Sequence, residues 1–184
     1  MGRIVAIGGG EIGRPGYAVE TNDIDIEIIR MTGIPSPNLL FIPTASSDSE
    51  TYIDAVQNHF GLQLGCQVNN LLLHCNSYTK EELRKMIFSS DIIYVGGGNT
   101  KMMLSIWKKT GLDKILKQAF EETEIIFSGL SAGAICWFSF GSSDSERFEN
   151  PDAPLINLPC LGFIDLVVCP HFDVEKDRKP DFKK

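Results

Sequence analysis

The chain has 184 residues, a formal net charge of −7, 43% hydrophobic and 22% charged residues. That length suits one domain with one sizeable core, and the composition is that of a globular protein in water. The acidic balance argues against nucleic acid or an anionic membrane surface as partner, since both reward positive fields. No apolar run approaches the roughly 20 residues that span a bilayer, and Met1-Gly2-Arg3 leads straight into a strand-like run without a signal-peptide pattern, so a cytoplasmic location is expected.

The first predicted element is a strand over residues 3–8, feeding "IGGGEIGRPG". Gly8, Gly10 and Gly13 match the G-x-G-x-x-G spacing of a dinucleotide loop. The context does not fit: Pro15-Gly16 stands where the helix should open, and the second strand, 38–43, ends in Pro43-Thr44 rather than in an acidic residue for a ribose. A Rossmann oxidoreductase is therefore a rival reading, and the glycines read better as one wall of a cleft. Helices are expected at 23–31, with Ile24, Ile28 and Met31 on one face, and at 49–60, with Ile53, Val56 and Phe60. Strands follow at 68–74 and 91–95. Between them "TKEE" reads as a capping box, Thr79 to Glu82, opening a helix with Leu83, Met86 and Ile87 buried. Asn99 or Thr100 caps a helix with Met103, Leu104 and Trp107; another runs from about 112 to 122, and strands are expected at 124–128 and 163–170.

This alternation predicts an α/β fold, a mostly parallel sheet with helices on both faces in a flavodoxin-like three-layer sandwich. "SFGSSDSERFENPDAP" reads as a long exposed loop and "EKDRKPDFKK" as a charged tail. Cys66, Cys75, Cys136, Cys160 and Cys169 form no C-x-x-C and read as reduced, packed thiols. His59, His74 and His171 form no zinc-binding pair, so no metal is expected.

In open α/β sheets the ligand sits beyond the carboxyl ends of the strands. Those ends carry Gly8–Gly10, Thr44–Ser46, Gly96–Gly98 with Asn99, Ser131 and His171. The most specific stretch is "EIIFSGLSAGAICWF", where Gly129-Leu130-Ser131-Ala132-Gly133 fits G-x-S-x-G between a buried strand and a helix start. A nucleophile on so sharp a turn needs small neighbours two residues away on either side, here Gly129 and Gly133. A helix N-terminus beneath it favours developing negative charge. The plainer alternative is a glycine turn with Ser131 as helix cap. His171 in "LVVCPHFD" is the histidine that follows a strand on the correct side; His59 is placed at the polar end of its helix and His74 on the surface. Ala132 N–H, with a glycine of "GGGN", would supply an oxyanion hole.

These residues resemble the peptidase E family of serine peptidases, including aspartyl dipeptidases and the related cyanophycinases. The motifs "AIGGG", "FIPTASSD", "YVGGGNT", "SGLSAGAICWF" and "CPHF" occur in order over roughly residues 4–172. The resemblance implies a fold like the class I glutamine amidotransferases and hydrolysis of the bond after an N-terminal aspartate in a small peptide, without metal or cofactor. It implies Ser131 as nucleophile, His171 as general base, and Gly98 and Ala132 as oxyanion donors. The family's acid lies in the loop after the nucleophile, which points to Asp144 here with Glu146 close by, or on a Glu beyond the His, for which no counterpart is recognised; Asp173 is a further candidate. An aspartate substrate calls for a cation, for which Arg14, Lys101 and Arg147 are candidates. Residues 1–184 read as a single domain lacking the family's usual last strand pair, so impaired activity or a homodimer covering the open sheet edge is expected. Two further rivals are an α/β-hydrolase-like esterase and a family member that only binds a small ligand or partner.

Overall fold

The computed structural model describes residues 1–182, apart from the side chain of Asp181. The chain runs β1 (Arg3–Ile7), α1 (Asn22–Thr32), β2 (Asn38–Ile42), α2 (Glu50–Val56), β3 (Gln67–Asn70), α3 (Lys80–Phe88), β4 (Ile92–Val95), α4 (Thr100–Thr110), α5 (Leu112–Glu122) and β5 (Ile126–Leu130). It continues through α6 (Ala132–Ile135), β6 (Phe138–Ser143), β7 (Ile156–Pro159), β8 (Ile164–Val168) and α7 (Arg178–Phe182). Strands β1 to β5 form one parallel sheet in the order β1-β5-β4-β2-β3.

Strands buried on both faces must be apolar at every position, and β4, Ile92–Val95, is buried throughout. Its alternate residues feed two cores. Ile93 and Val95 join Leu40 and Ile42 of β2 beneath Leu83 of α3, Trp107 of α4 and Leu116 of α5. Ile92 and Tyr94 join Leu39 and Phe41 beneath Ile28 of α1 and Tyr52 and Val56 of α2. The three-layer α/β sandwich expected from the sequence is thus present. The Thr79–Glu82 capping box makes both of its bonds, and Asn99 is the residue that caps α4, its Oδ1 accepting from Met102 N at 3.0 Å.

Several expectations change. The predicted α1 face is rotated: Ile24 is exposed while Asp25 is buried. The cause is a long-range pair, His59 Nε2 to Asp25 Oδ2 at 2.9 Å, with Thr21 Oγ1 donating to the same oxygen at 2.7 Å. His59 is therefore buried, on a widened turn (Gln57–Gln63) that continues α2, and not at a polar helix end. Strand β3 stops at Asn70, so His74 lies on an exposed turn. The segment read as an exposed loop begins as β6, which pairs antiparallel with β7 and parallel with β8 in a second, three-stranded sheet. The last predicted strand, β8, belongs to that sheet and not to the main one. The charged tail contains α7, whose Arg178 is buried; Lys183 and Lys184 lie outside the described residues. All five cysteines are unbridged, with Cys75 exposed rather than packed.

Candidate active site

Strand β5 delivers the chain to Ser131, which adopts φ 53° and ψ −104° before α6 begins. A non-glycine residue at positive φ stores strain and needs surroundings that enforce it. Here Ser131 N donates to Ile7 O at 3.0 Å, and its carbonyl accepts from Ala134 N and Ile135 N. The turn is crowded by backbone: a Cβ on Gly129 would stand 2.6 Å from Gly133 O, and one on Gly133 would run into the Val95 carbonyl, 2.6 Å from its carbon. Only glycine fits at either position.

Beyond β8, the chain returns to the same edge. His171 N donates to Gly8 O at 2.9 Å, and a Cβ on Gly9 would meet His171 Nδ1 at 2.6 Å, so the first glycine cluster forms the bed of the imidazole. No helix opens at Gly13; residues 11–20 form a small excursion closed by an Ile12–Val19 bridge and by Glu20 N to Glu11 O at 2.7 Å. With the ring so placed, His171 Nε2 lies 2.8 Å from Ser131 Oγ, within hydrogen-bond distance.

The third glycine-rich turn faces the same serine, since a Cβ on Gly97 would lie 3.5 Å from Ser131 Cβ. Gly98 has φ 137°, and a Cβ there would collide with Ala45 backbone. Gly97 N–H is held by Tyr52 Oη at 3.2 Å, and burial pushes the Tyr52 phenol up to about 12, so it stays neutral at ordinary pH. Ala132 is the first residue of α6, where an N–H has no partner within its own helix.

The carboxylates fall differently from the expectation. Asp144 Oδ2 is bound 3.2 Å from Arg178 Nη2, and Glu146 is bound to Lys101 Nζ at 2.6 Å. Asp173 is exposed. Among the described residues the carboxylate within 4.0 Å of the imidazole is instead Glu175, whose Oε1 stands 4.0 Å from His171 Nδ1 and whose Oε2 accepts from Arg178 Nε at 2.6 Å. It arrives there because Glu175 N closes a helical turn onto His171 O at 3.0 Å. The spacing of four, which puts two residues on one face of a helical turn, was the available signal in the sequence.

A cleft of about 610 Å³ opens over this edge, lined by Gly10, Arg14, Tyr52, Gly98, Ser131 and His171 among others. Of the three candidate cations only Arg14 lines it. Arg14 is held in a fork by Glu11, Nη2 to Oε2 at 2.6 Å and Nε to Oε1 at 3.0 Å, with its Cζ 5.8 Å from the centre of the Tyr52 ring. That hydrogen-bonded fork holds the Glu11 carboxyl below its usual range and raises the Arg14 guanidinium. The side chain of Arg14 keeps 52% of its surface exposed, whereas Lys101 and Arg147 are spent on Glu146 and Asp177.

Sheet order, elbow and paired imidazole together fit a serine-type hydrolase built on an α/β fold. Residues 4–184 match the sequence profile of Peptidase family S51, and the chain belongs to that family of peptidases. It is 38% identical over 184 residues to the uncharacterized peptidase YgaJ of Bacillus subtilis (strain 168), covering 99% of this chain and 74% of that protein. It is 31% identical over 144 residues to the uncharacterized peptidase PM1590 of Pasteurella multocida (strain Pm70), covering 76% and 67%. Among solved structures, a putative peptidase E protein from Listeria monocytogenes EGD-e superposes with a TM-score of 0.62 at 23% identity, over 87% of this chain and 81% of that one. A peptidase from an acI-B1 Actinobacterium superposes with a TM-score of 0.70 at 18% identity, over 100% and 75%. These two likenesses concern the fold. No helix among the described residues is long and apolar enough to cross a membrane.

Proposed function

We propose that this peptidase cleaves the bond after an N-terminal aspartate in short peptides, through an acyl-enzyme on Ser131. The observation that carries the reading is the 2.8 Å contact between His171 Nε2 and Ser131 Oγ on a strained elbow. Ser131 Oγ attacks the scissile carbonyl carbon while its proton passes to His171 Nε2. The oxyanion of the tetrahedral intermediate is received by the N–H groups of Ala132 and Gly98. His171 then protonates the leaving amine, and a water deprotonated by His171 releases the acyl group. Glu175 takes the acid's place in this scheme. Its 4.0 Å separation from Nδ1 is longer than a hydrogen bond, and such contacts tighten when substrate binds. Arg14 receives the aspartate side chain, its free surface facing the cleft while Glu11 fixes its plane.

The test is direct. Ser131→Ala abolishes Asp-X cleavage while its far-UV spectrum and melting temperature stay those of the parent, and a phosphonate probe labels the parent at Ser131 and not the variant. Retained cleavage by the variant overturns the assignment.

A further inference from the structure

The cleft has two chemically different walls, on opposite sides of the sheet plane. Arg14 packs over Tyr52, whose helix α2 belongs to one face. The same cleft is also lined by Met102 of α4, the helix that covers the other face, and by Phe148, which keeps 61% of its surface exposed. An aromatic side chain left that open at the mouth of a cleft is a large apolar surface awaiting a partner.

Phe148 does not sit on a loose loop. The turn that carries it, Ser145–Phe148, is pinned to the start of α4: Lys101 N donates to Ser145 Oγ at 3.0 Å, and Lys101 Nζ pairs with Glu146 at 2.6 Å. On its other side Arg147 Nη2 pairs with Asp177 at 2.5 Å, and buried Arg178 joins Asp144 to Glu175. The turn is therefore tied to the segment that follows His171. Because the charged neighbours Glu146 and Arg147 are already paired, what the turn offers the cleft is the aromatic ring.

These ties decide which part of a substrate meets Phe148. His171 hands the proton to the leaving amine, so the residue after the scissile bond lies on the His171 side of Ser131. We propose that Phe148, backed by Met102, forms the leaving-group subsite and that the dipeptides cleaved best carry an apolar residue after the scissile bond. This inference rests on the acyl-enzyme reading above. It adds an apolar requirement on the side away from Arg14.

The experiment compares kcat/KM for Asp-Gly, Asp-Lys, Asp-Leu and Asp-Phe, and for the matching Ala-X set, in the parent, Phe148→Ala and Phe148→Leu. The expected parent preference for Leu or Phe over Gly is about tenfold, the lower end of what apolar pocket contacts discriminate. Phe148→Ala removes most of that ratio and Phe148→Leu restores part of it. A flat Leu-to-Gly ratio in the parent, or a ratio unchanged in Phe148→Ala, overturns the proposal. An apolar preference that depends on Phe148 but is seen with Ala-X alone supports the subsite and overturns the aspartate assignment. Failure to cleave any dipeptide overturns both.

Discussion

Glu175→Gln tests the proposed role of Glu175 against that of Asp144, the acid the resemblance implies. The glutamine keeps the shape of the side chain and removes the charge 4.0 Å from His171 Nδ1. When the imidazole takes the Ser131 proton, that carboxylate stabilises the new positive charge. Two unit charges at this separation interact by about 1 kcal/mol in water and about 4 kcal/mol at an effective dielectric of 20. Glu175 is 37% exposed on its side chain and shares its other oxygen with Arg178, which places the effect toward the lower limit. About 1–2 kcal/mol corresponds to roughly a 5–30-fold loss of kcat. Asp144→Asn is the control. Each substitution takes one carboxylate from Arg178, whose side chain is only 1% exposed, so both lower stability, by about 1 kcal/mol each because the carboxylates themselves are partly solvated, and with it the melting temperature. Only Glu175→Gln acts on the chemistry. The assay is kcat at saturating Asp-Leu, well below both melting temperatures. Equal losses in the two variants, or a deeper loss in Asp144→Asn, would refute the assignment of Glu175.

Three other outcomes are expected. Gly133→Ala forces a methyl against the Val95 carbonyl and Val95 Cβ, the latter at 2.9 Å; chemical denaturation should show a loss of about 3 kcal/mol, with cleavage lost because the elbow must move. Arg14→Gln should raise KM for Asp-X about 10–100-fold, the worth of one charged hydrogen-bonding partner, with kcat nearly unchanged, whereas KM for Ala-X stays put. For Glu11 the folded carboxyl lies below its ordinary value of 4.5 because of the fork with Arg14, so its contribution is present above that value and is lost as pH falls through the lower folded one. Melting curves of the parent and Glu11→Gln should therefore stay a constant distance apart above pH 4.5 and converge as the pH is lowered further; a gap that widens in acid would contradict the pairing.

What could be read from the sequence was local, and what could not was carried by contacts between distant residues. The elbow is legible because Gly129, Ser131 and Gly133 constrain each other across one turn, and the parallel sheet because strands such as Ile92–Val95 are apolar at every position. Periodicity put Ile24 on the buried face; the fold exposes it and buries Asp25, to which His59, 34 residues away, offers a buried partner. In the same way Ser142, Ser143 and Ser145 read as solvent-exposed polar residues, yet they are buried, with Ser143 Oγ 2.7 Å from Ser145 Oγ and Ser145 Oγ in turn accepting from Lys101 N. Arg178 looked like part of a charged tail, and its buried guanidinium donates to Ser142 O at 3.0 Å while bridging Asp144 and Glu175.

These missed contacts converge on the active edge. Arg178 joins the strand that leads to the Phe148 turn with the segment that follows His171, and through Glu175 it reaches the imidazole. The candidate nucleophile can be located from five adjacent residues because its geometry is enforced locally. The proposed acid and the proposed leaving-group wall depend on whether one buried arginine is satisfied by residues from two separate segments. That dependence explains why the carboxylate that stands nearest the imidazole could not be picked out from the sequence alone. Asp144 and Glu175 are two carboxylates on a single guanidinium, and the helical turn from His171 to Glu175 is what brings Glu175 toward the ring.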